Sequence, residues 1–279
     1  MSSLSRVSTD QKLIEMWLHG RPVSTQKEYR RDTYAFLAFV DKDLQECKLE
    51  DLQAYSTCLD EQGIKSSTKK RKLNVVKSLF TFATKLNYLR FNVAAALKMP
   101  KGDTSLAGRI LKTSEVLKLI NCPKLSVRDR AFLKFVYATG VRVSEACNLK
   151  WEDFQERDSG EVQVTVLGKG EKLRTVLVPI VVWMELEQCK GHEYVFVGKM
   201  GNAIDRVAAH HIIKDAAIVA GVNPKVSAHW LRHSHASHAL NKGAPIHLVR
   251  TSLGHSSVAT TDKYLHANPD DSSGNYLGF

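Results

Sequence analysis

The side chains best suited to chemistry stand in five short stretches of the C-terminal two thirds. These are Thr139-Gly140-Val141-Arg142-Val143-Ser144-Glu145, then Gly168-Lys169-Gly170-Glu171, then His229-Trp230-Leu231-Arg232-His233, then Leu253-Gly254-His255, and finally Tyr264, nine residues after His255. A guanidinium presents a planar fork of donors, stays charged at any working pH and fits the oxygens of a phosphate or carboxylate bidentately. Imidazole moves protons near neutrality. A phenol, with a free pKa of about 10, attacks only when its proton is drawn off or nearby cations stabilise the phenolate. Taken singly, each residue also has an ordinary structural role. An arginine in a helical pattern is usually a surface or salt-bridging residue, a lone tyrosine is half-buried, and a histidine near a helix end is a satisfied polar group.

Seven of the eleven histidines fall between residues 229 and 266, and His229 and His233 have the i,i+4 spacing of zinc ligands. Residues 216 to 261, however, contain no Asp or Glu, so a carboxylate ligand or a carboxylate supporting a histidine ligand is missing from this stretch. A metallohydrolase is therefore disfavoured, and no metal is expected. The five cysteines (Cys47, Cys58, Cys122, Cys147, Cys189) are scattered and form no CxxC pair, which suggests neither a disulfide framework nor a thiolate zinc site.

Helices must carry most of these residues. Periodicity predicts helices at 204–220, 227–241, 245–253 and 257–265, preceded by Thr113–Ile120 and Ser126–Ala138, with Gly140 as the stop of the last. Glu161–Val166 and Leu173–Val178 alternate as strands around Gly168-Lys169-Gly170-Glu171, a β-hairpin with lysine at its tip. The first third reads as all-helical: Thr25–Val40, Leu49–Leu59, and a helix capped by Ser66 or Ser67 whose apolar face is Leu73, Val76, Leu79, Phe80, Phe82 and Ala83. Met99-Pro100-Lys101-Gly102-Asp103-Thr104-Ser105 breaks the periodicity as a linker.

The chain has 279 residues, 43% of them hydrophobic, and a net charge of +11, enough for two compact domains with real cores. The charge is uneven. Residues 1–61 hold 8 basic and 11 acidic side chains, residues 62–102 hold ten basic and none acidic, and residues 103–279 hold 22 and 18. A solvated helix face normally mixes signs, so the acid-free segment predicts phosphate contact through Lys65, Lys69, Lys70, Arg71, Lys72 and Lys77. No run of about 18 apolar residues and no signal-peptide core is present. A soluble, cytoplasmic protein without membrane contact is the expectation.

The five stretches together resemble the tyrosine recombinase (phage integrase) family, closely its Xer-like members, over nearly the whole chain. The resemblance implies a mainly α fold with a small antiparallel β-sheet. It divides the chain into an N-terminal helical, SAM-like core-binding domain (1–98), a linker (99–105) and a C-terminal catalytic domain (106–279). TGVRVSEACNLKW supplies Arg142, GKGEKLR supplies Lys169, HWLRH supplies His229 and Arg232, LGH supplies His255 and TTDKYLH supplies Tyr264, six positions in the family's order. The implied activity is site-specific recombination of double-stranded DNA through a covalent 3′-phosphotyrosine, without ATP, metal or other cofactor. It also implies assembly as a tetramer on two DNA sites, in some members with a partner recombinase. The arginines would neutralise the phosphate oxygens, the histidines shuttle protons, and Lys169 protonate the departing 5′ oxygen. DNA relaxation of the type IB topoisomerase kind and non-catalytic DNA binding on the same fold are the alternatives. Tyr276, Leu277 and Phe279 are expected to anchor the tail in a pocket, either of the same subunit or of a neighbouring one.

Overall fold

The computed structural model describes residues 7–100, 106–168, 171–255 and 257–265. Lys169 at the hairpin tip, most of the linker and the tail with Tyr276, Leu277 and Phe279 lie outside these described residues. The chain divides into two compact units, Met1–Thr104 and Ser105–Phe279.

The first unit packs four helices: α1 (Asp10–Leu18), α2 (Val23–Val40), α3 (Leu49–Glu61) and α4 (Ser66–Lys85), followed by a 3-10 turn at Val93–Ala96. Thr9 caps α1 by accepting the Lys12 N–H, and α2 stops where Asp41 turns left-handed at φ 49°. The apolar stripe of α4 is buried at Leu73, Val76, Leu79, Phe80 and Ala83, with Phe82 half-buried beside it. Leu13, Ile14, Phe36 and Leu52 close the core from the other helices. Lys65 rather than a serine occupies the cap position of α4.

The second unit is also mostly helical: α5 (Thr113–Ile120), α6 (Val127–Thr139), α7 (Val143–Cys147), α8 (Ile180–Glu187), α9 (Arg206–Val219), α10 (Ala228–Asn241), α11 (Ile246–Leu253) and α12 (Val258–Leu265). A three-stranded antiparallel sheet, β1 (Phe154–Glu156), β2 (Val162–Leu167) and β3 (Leu173–Val178), runs in the order β1-β2-β3. Thr165 pairs with Thr175 and Val164 with Val176, so Val162, Val164, Val166, Val176 and Val178 turn inward together. α6 forms the centre of the core, where Phe132 and Phe135 meet Phe196.

Three elements of this unit, α7, β1 and α8, are not foreseen by periodicity. β1 has only three residues, too short to show alternation. The start of α8, Ile180-Val181-Val182-Trp183, has the β-branched composition of a strand and becomes helical because Pro179 opens it and tertiary packing outweighs propensity. Among the described residues no helix is long and apolar enough to cross a membrane.

Candidate active site

Backbone turns set the frame. α6 ends at Gly140 with φ +64°, and a Cβ there would lie 2.6 Å from His235 Cδ2 and 2.8 Å from Leu253 Cδ2. Glycine is thus required both for the turn and for the approach of α10 and α11. Two residues on, Arg142 stands at the cap position of α7, where its N–H donates to Glu145 Oε2 at 2.7 Å and its Nη1 to Oε1 at 2.8 Å. The same carboxylate accepts Arg174 Nη1 at 2.9 Å and Nη2 at 2.7 Å. Burial alone would raise the pKa of Glu145, but the bonds from Arg174 and Arg142 prevail and hold it below its ordinary value.

Arg174, on β3, also donates Nε to the Ser252 carbonyl at 2.8 Å. The helix α11 ends beside it at Gly254 (φ +63°), where a Cβ would lie 3.0 Å from Arg174 Cδ. The Gly254 carbonyl accepts Arg142 Nη2 at 3.3 Å. One carboxylate therefore ties α7, β3 and the end of α11 together around Arg142.

Arg232 comes from α10 and is only 3% exposed. Its Nη1 donates to the Gly140 carbonyl at 2.6 Å and its Nη2 to the Leu253 carbonyl. Burial, and then the charge of Arg142, push its pKa down to about 10, so it stays cationic at neutral pH. One turn apart on the same helix, His229 and His233 stack at 5.8 Å with 15° between their planes. Burial, reinforced by the neighbouring arginines, lowers the pKa of His229. For His233, burial and then His229 bring it to about 4.

His255 follows Gly254 and is oriented by Thr261 of α12, whose buried hydroxyl lies 2.9 Å from His255 Nδ1. Burial and the surrounding arginines push its pKa down to about 4. Its ring lies parallel to that of Tyr264, at 6.1 Å and 7°. Tyr264 is 3% exposed in a small apolar cluster with Ala236, Val249 and Leu253, and its hydroxyl lies 2.8 Å from His233 Nδ1. Burial raises its pKa, partly opposed by the Arg232 charge.

Two clefts open beside Arg142. A volume of about 270 Å³ is lined by Arg206, His210, Ser227, His229 and Arg232. A larger one, about 810 Å³, is lined by Gly168, Lys172, Arg174, Arg250, Gly254 and His255. Gly168 and Lys172 flank Lys169, which itself lies outside the described residues. Arg142, His229, Arg232, His255 and Tyr264 are thus brought together from α7, α10, α12 and the turn after α11. A paired cation, histidines held neutral and a phenol suit in-line displacement at a phosphodiester. Among the described residues no group of three His, Cys, Asp or Glu side chains is placed to hold a metal ion.

Sequence reasoning passed over the roles of Arg174, Glu145, Thr261 and His233. Arg174 carried a readable signal, because it shares the inward register of β3 with Val176 and Val178 and an arginine in that register needs a buried acceptor. Thr261 and the His233 contact have no local signature.

In the first unit the acid-free segment is not acid-free in space: four of the six basic side chains expected to meet phosphate have partners within the unit. Lys69, 8% exposed, pairs with Asp60 at 2.5 Å. Arg71 and Lys72 both pair with the fully buried Asp32 of α2. Lys77 donates to the carbonyls of Ala95 and Leu97 at 3.2 and 2.9 Å. Counting charges along the chain misses carboxylates brought in from neighbouring helices. Lys65, exposed, and Lys70, half-buried, have no ion pair among the described residues.

The chain is similar to known proteins. Residues 109–271 match the phage integrase family, and residues 19–87 match the phage integrase N-terminal SAM-like domain. Tyrosine recombinase XerC of Xanthomonas campestris pv. campestris is 34% identical over 255 residues, 87% of this chain and 78% of the relative. Tyrosine recombinase XerD of Vibrio cholerae serotype O1 is 33% identical over 287 residues, covering 93% of each. The crystal structure of a lambda integrase dimer bound to a COC′ core site shares the fold, with a TM-score of 0.77 at 18% identity over 95% of this chain and 98% of that one.

Proposed function

The chain belongs to the phage integrase family of tyrosine recombinases, and from that membership we propose that Tyr264 is the nucleophile of its strand-transfer reaction, with Arg142, Lys169, His229, Arg232 and His255 as the other catalytic residues. The enzyme is a site-specific DNA recombinase. The observation that carries the residue assignment is the convergence of two arginines on the end of α11, beside a tyrosine stacked on His255.

In this reading, a scissile phosphodiester enters beside Arg142 and Arg232, whose guanidinium groups neutralise its non-bridging oxygens. The Tyr264 oxygen attacks phosphorus, the bond to the 5′ oxygen breaks, and a 3′-phosphotyrosine forms. The phenol proton leaves through the assigned histidines, His229 and His255, and Lys169 gives a proton to the departing 5′ oxygen. His255, kept neutral and fixed by Thr261, presents its other ring nitrogen to the phosphate. Phosphate ester energy is conserved in the covalent link, so a 5′ hydroxyl of the partner duplex reverses the attack and completes exchange.

Residues 1–98 would act as the core-binding domain and 106–279 as the catalytic domain, joined by residues 99–105. Membership of the phage integrase family, with the XerC and XerD relatives, supports duplex DNA as the substrate. Exchange of two duplexes breaks four strands with one tyrosine each, which calls for a tetramer on two sites. The XerC and XerD relatives leave room for a partner recombinase. Incubation with DNA carrying a nicked suicide site tests the reading. A 3′-phosphoprotein adduct and exchanged products are expected, whereas binding without adduct, or relaxation without exchange, would overturn it.

A further inference from the structure

The Tyr264 hydroxyl is engaged by a residue outside the six assigned ones. His233 Nδ1 lies 2.8 Å from it, with the two ring centroids 5.6 Å apart. Tyr264 is set into an apolar cluster with Ala236, Val249 and Leu253, and it lines neither of the clefts beside Arg142. His233 faces His229 and Arg232 on its own helix, Arg109 from the 3-10 turn that precedes α5, and His255 and Tyr264 from the chain beyond α11. Burial, and then the neighbouring imidazole and arginines, keep this imidazole neutral, so with its proton on Nε2 it has a bare Nδ1 lone pair for the phenol. A phenol donating to a neutral acceptor inside an apolar cluster remains a phenol.

We propose that His233 is a positioning residue that retains Tyr264 in the DNA-free protein, holding its hydroxyl away from the clefts beside Arg142 until a phosphodiester occupies them. No bond is made or broken in the retention: the proton stays on Oη and Nδ1 accepts it in a hydrogen bond. Release is favoured when phosphate oxygens beside Arg142 and Arg232 offer the hydroxyl a charged acceptor, since such bonds are roughly twice as strong as neutral ones. The inference rests on Tyr264 being the nucleophile.

Nitration of Tyr264 by tetranitromethane in the DNA-free full-length chain, read by mass spectrometry of its peptide, tests retention without reference to catalysis. The wild type is expected to be protected. His233→Ala should raise the nitration rate about five-fold, the equilibrium factor carried by one neutral hydrogen bond. His233→Asn, whose amide oxygen can take the place of Nδ1, should restore protection. His233→Gln, which carries its carbonyl one carbon further out, should not restore it, and it replaces the alanine variant if that chain fails to fold in a thermal melt. In single-turnover reactions on a suicide half-site, His233→Ala should form the adduct faster than wild type, and Asn should return it toward the wild-type rate. Unchanged nitration, or slower adduct formation in the alanine variant, overturns the proposal. An adduct from Tyr264→Phe would instead overturn the nucleophile assignment and leave the nitration result standing.

Discussion

Glu145 is where the site is most sensitive to a single atom change. It accepts four hydrogen bonds from two arginines, and replacing it by glutamine leaves Arg174, with a side chain 10% exposed, short of a countercharge. Breaking one partner out of such a pair costs about 3–5 kcal/mol. Glu145→Gln should therefore lower the melting temperature and slow adduct formation together, the second because Arg142 loses its orientation. A variant with wild-type cleavage would show that Arg142 is held by Gly254 alone. Arg142→Ala and Arg232→Ala should each slow cleavage by about 10²- to 10³-fold, the usual loss for one transition-state donor, in a single-turnover assay. Tyr264→Phe should give no adduct while binding DNA nearly as before, because one hydroxyl adds little to a multi-phosphate interface. Gel-shift and adduct assays on the same preparation check both halves of that expectation.

At the scale of elements, α10 carries its histidines on two sides. His229 and His233 face the site, whereas His235 donates Nδ1–H to the Tyr137 carbonyl at 2.8 Å and packs against Gly140. Burial holds His233, His235 and His255 near about 4, below the ordinary 6.5. The unfolded chain therefore takes up protons that the folded chain refuses, and the stability these groups contribute is whole above about 6.5 and is lost as pH falls from there toward about 4. His235→Asn keeps a donor for the Tyr137 carbonyl and removes one such proton. Its melting temperature should fall less steeply than that of the wild type over this window, and parallel pH curves would contradict the assignment. Gly140→Ala should destabilise the second unit by more than about 1 kcal/mol, because it forces both a left-handed alanine and a Cβ into His235 and Leu253.

For the molecule as a whole, we propose that the basic surplus has two separate uses. Lys69, Arg71 and Lys72 neutralise Asp60 and the buried Asp32 and so hold the first unit together. Lys65 and Lys70 carry no such pair among the described residues and are the candidates for phosphate contact. Replacing Lys65 and Lys70 by glutamine should weaken DNA binding and flatten its salt dependence by a slope of about 0.9 for each phosphate that is no longer neutralised, with little change in melting temperature. Replacing Arg71 and Lys72 by glutamine should instead lower the melting temperature, since the buried Asp32 would keep only its longer pair with Arg31 at 3.7 Å. Titration of a labelled duplex at several salt concentrations, beside thermal melts, separates the two. If both pairs behave alike, the division fails.

Residue type and local periodicity were enough to place Thr113–Ile120, the hairpin around Lys169 and the apolar face of α4, because these depend on side chains within a few positions of each other. The order Arg142, Lys169, His229, Arg232, His255, Tyr264 was likewise legible along the chain. Partnerships were not. That Asp32 answers Arg71 across 39 positions, that Glu145 joins Arg142 to Arg174, and that Tyr264 rests on His233 follow from which helix faces meet. An unpaired buried charge or hydroxyl is costly whatever its place in the sequence, so the partner is chosen by proximity in the packed chain, and only the tertiary structure decides it.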